Sequence, residues 1–182
     1  SDRFILWCGI DMSSWGTPDF PAAAVRELER CWRKGATGVG ELIDKGLGER
    51  ASCKVAQPGL HFNDDLLVPI FSKCAELGMP VSCHVADPVW MYEELDEYND
   101  GYMNAAVWKI DTTVPGTLGL NELVATMEEA CVKNPETTFV ACHLMNISHD
   151  YEFLAEVLGR HPNLYIDNSA RHLETSATPR AT

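Results

Sequence analysis

"MPVSCHVADPVW", residues 79–90, is a short apolar run that ends in a histidine and breaks at Asp-Pro. It follows the helix-like pattern "NDDLLVPIFSKCAELG" (63–78), which closes on Gly78, so it reads as a buried strand entered from a helix. A second run, "TTFVACHLMN" (137–146), repeats the order valine, small residue, cysteine, histidine after another helix pattern. Strand side chains alternate between faces, which puts Val81 and Cys83 on one face and Ser82 and His84 on the other. The same alternation pairs Val140 with Cys142 and Ala141 with His143. In a barrel the valine and cysteine positions pack outward against helices. The small residue and the histidine then point inward, which sets two imidazoles over one mouth. Neutral imidazole is the commonest protein ligand for zinc and related ions, so the pair reads as a metal site. A single strand-end histidine is more often a structural group bonded to backbone; two at equivalent positions favour function.

Outward from these runs the pattern keeps alternating. Strands are expected over 3–10, 37–43, 79–84, 137–143 and 163–170, and helices over 17–35, 63–78, 120–134 and 150–161. Thr17, Pro18 and Asp19 supply start chemistry for the first helix, with Val25, Leu28, Cys31 and Trp32 as its apolar stripe and Gly35 as its stop. Asn63 or Asp64 caps the second, where Pro69 is early enough to be tolerated or to kink it. Strands separated by helix-sized connections give an α/β fold with a parallel sheet and one domain over residues 1–182. A dinucleotide fold needs GxGxxG in a strand-to-helix turn, whereas the glycines of "GATGVGELI" (35–43) run from a helix into a strand. Asp11, Glu41, His84, His143 and Asp167 fall instead at the carboxyl ends of strands, the distribution of a (β/α)8 barrel mouth.

Composition narrows the partners. The formal charge of -13 repels polyanions, so nucleic acid and anionic membrane surfaces are excluded as ligands. No apolar run approaches the roughly 20 residues of a membrane span, and "SDRFILWCGIDMSS" lacks the basic and apolar regions of a signal peptide. Seven cysteines without a CxxC pair (Cys8, Cys31, Cys53, Cys74, Cys83, Cys131 and Cys142) read as buried free thiols in a reducing, cytoplasmic compartment. A small-molecule substrate is the partner that remains.

Around the two histidines, Glu41 is a candidate metal bridge, proton acceptor or lysine partner. Asp167 is a candidate for orienting a histidine or binding substrate, and Arg171 for pairing with it or with a substrate carboxylate. His61, His149, His161 and His172 fall in loops or at helix ends, where exposed or capping roles are expected. The connection 86–119 is long for an inert loop and carries Trp90, Tyr92, Tyr98, Tyr102 and Trp108 among acidic residues. It reads as a lid over the mouth, with Trp90 against the substrate.

"GVGELIDKG", "LGMPVSCHVADPVW", "TTFVACHLMN" and "PNLYIDNSARHLE" resemble, in this order, strands three to seven of the amidohydrolase superfamily. The resemblance is to its amidohydrolase-2 group of metal-dependent TIM barrels, which includes aminocarboxymuconate-semialdehyde decarboxylase-like enzymes. It implies that His84 is the strand-five metal ligand. His143 is then either a second-metal ligand or the acid/base of a mononuclear site, with Glu41 at a bridging position. The family's HxH pair is not in this sequence, nor is its last-strand aspartate. About five strands stand where a barrel needs eight, so an internal piece of a larger barrel, or one completed by a partner or a homo-oligomer, is expected. The leading expectation is a metal-dependent hydrolase, most simply a zinc enzyme, that activates water against an amide, ester or lactone. The alternative is a nonoxidative metal-dependent decarboxylase on the same fold. From another class, a degenerate barrel would serve as a non-catalytic binding or assembly protein.

Overall fold

The computed structural model describes residues 3–48, 59–108 and 110–177. Five strands, β1 (Leu6–Cys8), β2 (Ala36–Asp44), β3 (Val81–Val85), β4 (Phe139–Ala141) and β5 (Leu164–Ile166), form one sheet in that spatial order. Every neighbouring pair is parallel. Sequential order without a reversal is how a barrel winds, because each crossover returns one strand further along; a doubly wound sheet reverses at a switch point.

The crossovers are α1 (Phe20–Arg33), α2 (Val68–Glu76), α3 (Tyr102–Trp108) with α4 (Leu120–Lys133), and α5 (Tyr151–Arg160). They cover one face of the sheet. Val81, Cys83 and Val85 point into that layer and are fully buried, along with Leu28 of α1, Phe71 of α2, Met127 of α4 and Val157 of α5. Phe71 meets Phe139 edge to face, with ring centroids 5.1 Å apart. Each such side chain contributes about 1.5–3 kcal/mol by leaving water. The opposite face, carrying Ser82, His84 and Val140, is only half-buried.

Several boundaries differ from expectation for local reasons. The buried stripe of α1 is Phe20, Ala24 and Leu28, one position round from the expected one, and Trp32 is exposed. α2 starts at Val68, and neither Asn63 nor Asp64 caps it: the Asp64 carboxylate accepts from the Leu66 N–H, while Asn63 donates to Glu129. Pro69 sits in the first turn, where no helical hydrogen bond is lost. α5 begins on Asp150, whose Oδ1 accepts from the Phe153 N–H at 2.9 Å. β5 ends at Ile166, short of the expected 170, and the chain continues into α6 (His172–Ala177). Cys74, Cys83, Cys131 and Cys142 are buried free thiols and Cys8 and Cys31 half-buried ones; Cys53 lies outside the described residues. Among those residues no helix is long and apolar enough to cross a membrane.

Candidate metal centre and its pocket

Three strands deliver three side chains to one point. β2 carries a bulge: Val39 pairs with Val81 and Leu42 with Cys83, so Gly40 and Glu41 together stand opposite Ser82. Gly40 makes this feasible, because its φ is +144° and a Cβ there would lie 2.6 Å from the Ser82 Cβ. The bulge turns Glu41 to the open face, where Ile43 then pairs with His84.

The two histidine runs are not in phase. Val81 pairs with Phe139, Ser82 with Val140 and Cys83 with Ala141. Ala141 therefore packs toward the helices, the reverse of the expected assignment, while the Cys142 thiol reaches Ser82 Oγ at 3.0 Å. Continued alternation would send His143 to the wrong face. Instead the strand stops, and His143, Leu144, Met145 and Asn146 all adopt positive φ, between 54° and 61°. For residues other than glycine this costs about 1–2 kcal/mol each. It is held by burial of Leu144 and Met145, by the Leu144 N–H on the Asp167 carbonyl (2.7 Å), and by the Asn146 amide on the carbonyls of Val85 and Ala86 (3.1 and 3.0 Å). The turn swings His143 back over the mouth, with its ring centroid 4.8 Å from that of His84.

Glu41, His84 and His143 thus offer one carboxylate and two imidazole nitrogens, all within 4.8 Å of one another. Glu41 Oε1 lies 2.8 Å from His84 Nδ1 and 3.6 Å from His143 Nε2. The tautomer of His143 follows from its partners. Ser169 Oγ gives its proton to Asp167 (2.6 Å), so it can only accept, as can the Ser169 carbonyl; both lie 2.9 Å from His143 Nδ1, which must carry the proton. His143 Nε2 is left facing the cluster. His84 has a carboxylate at each ring nitrogen, Asp87 at 3.1 Å from Nε2 and Glu41 at 2.8 Å from Nδ1, so either nitrogen can donate. Two imidazole nitrogens and a carboxylate oxygen brought this close are a donor set that fits a divalent cation such as zinc.

Asp167 stands behind the cluster rather than in it. It accepts from the backbone N–H groups of His143 and Ser169 and from Ser169 Oγ, so it fixes the backbone under His143. Burial pushes its carboxyl up, but these hydrogen bonds outweigh burial and hold it below the usual range. Arg171 does not pair with Asp167. Its guanidinium donates to Asn146 Oδ1 at 2.6 Å and lies 3.6 Å from Glu174, while Nε is buried with no partner among the described residues. Arg171 lines a pocket of about 390 Å³ together with Lys45, Asp87, Trp90, Asn104 and Trp108. The lid segment builds this wall: Asn99 fastens the Trp90 carbonyl at 2.8 Å, and a Cβ at Gly101 would collide with the Trp90 indole. The pocket reaches the cluster through Asp87.

Asp11 lies apart from this site, capping its own turn by accepting from the Ser13 N–H. His61 and His161, expected to be exposed or capping, are held by acids: His61 Nδ1 lies 2.7 Å from the fully buried Asp44, and His161, which does end α5, lies 2.9 Å from Glu128. The hydrogen bond that His61 donates to the Asp44 carboxylate raises the His61 pKa against the opposing effect of burial. Sequence reasoning passed over Asp87, Lys45, Asn146 and Ser169. Of these only Asp87 carried a signal, standing three residues after His84 on the same strand exit.

Two histidines and a carboxylate at the exits of consecutive parallel strands are the layout of a TIM-barrel mouth, and this chain carries about five of the eight strands. The amidohydrolase family model, Amidohydro_2, matches residues 12–181, and the chain belongs to that family. No curated protein sequence matches it. Among solved structures, 2,6-dihydroxybenzoate decarboxylase from Rhizobium superposes with a TM-score of 0.54 at 15% identity, over 93% of this chain and 53% of that one. The complex of 2,6-dihydroxybenzoate decarboxylase with 2,6-dihydroxybenzoate gives the same values. A Polaromonas dihydroxybenzoic acid decarboxylase with bound manganese and 2-nitroresorcinol is similar at a TM-score of 0.44 and 16% identity, over 80% of this chain and 46% of that one. The chain spans about half the length of these structures.

Proposed function

We propose that this chain supplies the strand-end half of the active site of a metal-dependent, nonoxidative decarboxylase acting on a small aromatic carboxylic acid. The observation that carries the reading is the pocket beside His84, which joins a fixed guanidinium, Arg171, to two indoles, Trp90 and Trp108. A planar ring fits between aromatic walls, and a carboxylate or phenolate oxygen fits an arginine fork. The solved structures of this fold at a TM-score of 0.54 are decarboxylases of such an acid, which supports the same choice over hydrolysis.

Decarboxylation breaks the bond between a ring carbon and its carboxylate. The electron pair stays on the ring carbon, which takes a proton as carbon dioxide leaves. In this reading His84 and Glu41 hold the metal, and His143 is the proton donor in its doubly protonated form: Nε2 gives its proton to the ring carbon and regains one from solvent, while Nδ1–H stays on Ser169. A divalent ion, when bound, would supply a fixed positive charge that orients substrate oxygens and stabilises developing negative charge. Zinc suits nitrogen and carboxylate donors, as do other first-row divalent ions. Trp90 and Trp108 offer the ring apolar walls, and Arg171 sets its orientation.

The test is product analysis. Incubating the metal-loaded protein with hydroxylated benzoic acids should release carbon dioxide and the decarboxylated phenol in equal amounts. Hydrolysis of amide, ester or lactone substrates without carbon dioxide release would restore the hydrolase reading. Binding of the acids without turnover of either kind would favour a non-catalytic role.

A further inference from the structure

We propose that Asp87 is the positioning residue of the metal centre, with Lys45 as its anchor; this rests on the reading of Glu41 and His84 as a cation site. Asp87 leaves the end of β3 three residues after His84, and the intervening Ala86 has a φ of 59°. That left-handed step folds the chain back, so that the Asp87 carboxylate meets the outer nitrogen of the same imidazole, His84 Nε2, at 3.1 Å. On the other side of the ring Nδ1 lies 2.8 Å from Glu41 Oε1, so with a cation held between Nδ1 and Glu41 the ring would donate from Nε2 alone, to Asp87.

Asp87 is itself fixed by two further partners. Lys45 Nζ lies 3.0 Å from each of its carboxylate oxygens. Its backbone N–H donates to the Tyr92 hydroxyl at 3.0 Å, and its side chain is only 9% exposed. A carboxylate hydrogen-bonded to the outer nitrogen of a ligating imidazole fixes the ring's orientation and makes it a better ligand. The same Asp87 lines the pocket, so it touches both the proposed ligand His84 and the substrate space. Without Asp87 the His84 ring would keep only its Glu41 contact and would lose the group that fixes Nε2.

The experiment is a competition titration of zinc against a chromophoric chelator, on wild type, Asp87→Ala, Asp87→Asn and Lys45→Met. Circular dichroism would confirm that each variant is folded. Asp87→Ala should bind zinc about 10–100-fold more weakly. Asp87→Asn keeps an oxygen that accepts from Nε2–H and should recover most of that loss, whereas a purely steric role would leave both variants alike. Lys45→Met should fall between wild type and Asp87→Ala. Nitrogen-15 spectra of the zinc-loaded protein should show His84 protonated at Nε2 in wild type, with that signature lost in Asp87→Ala. A wild type that binds zinc while folded Asp87→Ala binds it equally well overturns the positioning role alone. A wild type that does not bind zinc overturns the cation-site reading and this inference together.

Discussion

His143 is brought to the mouth by four residues in a left-handed turn, and the group that secures the turn is Asn146. Its amide spans the carbonyls of Val85 and Ala86 while its oxygen takes the Arg171 guanidinium, all in a site 1% exposed. Asn146→Ala would leave buried carbonyls and part of a guanidinium without partners. A loss of about 1–3 kcal/mol in unfolding free energy is expected from urea titration, with a rise in KM for aromatic acids as Arg171 loosens. His143→Asn removes the proposed proton donor and not the proposed metal anchor. It should abolish carbon dioxide release while leaving metal content unchanged, as mass spectrometry of the metals would report. Loss of the metal in this variant would mean that His143 is a ligand.

At the scale of elements, the bulge in β2 decides where Glu41 points. Gly40→Ala would force a Cβ against Ser82 at a backbone conformation that disfavours side chains. A cost of about 1–3 kcal/mol is expected in thermal or urea unfolding, together with weaker metal binding as Glu41 shifts. The carboxyl end of β2 also carries Asp44, which holds His61. Because the folded-state pKa of His61 is raised above its usual 6.5, the contact contributes stability that is fully present below about 6.5 and is lost as pH rises through the folded value. The melting temperature should therefore drop between pH 6 and pH 9 by an amount that His61→Gln removes. An identical pH profile in that variant would contradict the linkage. These elements also mark how far the sequence could be read. Strand and helix order was legible because apolar runs, Gly35, Gly78 and Asp150 punctuate it plainly. The phase of β4 was not, since "VSCH" and "VACH" look equivalent and only the pairing of Val81 with Phe139 shows the one-residue offset. The histidine reached the mouth anyway, by a left-handed turn for which "HLMN" gives no glycine signal. Asp87 and Lys45 escaped notice because the contact of Asp87 with the far nitrogen of His84, and of Lys45 with Asp87, is defined only once the backbone reverses at Ala86.

Across the whole molecule, a parallel sheet needs cover on both faces, and here the helices provide it on one. At the β1 edge Phe4, Ile5 and Leu6 are largely exposed, with Trp7 beside them and Tyr165 on the other edge strand. An apolar, unpaired strand edge is a template for association. The chain alone should self-associate with rising concentration in light scattering, and Ile5→Lys with Leu6→Lys should suppress this without changing the circular dichroism spectrum. A monodisperse monomer at high concentration would show that the edge is protected in solution. The central claim is that Glu41 and His84 hold a divalent ion at the strand ends. Its most direct test is calorimetric titration of the chelator-stripped protein with zinc and with manganese, repeated on His84→Asn and Glu41→Gln. The account predicts saturable binding at a single class of site in the wild type, abolished in His84→Asn and weakened in Glu41→Gln. Absence of saturable binding by either metal, or isotherms for His84→Asn that overlie the wild type, would contradict it.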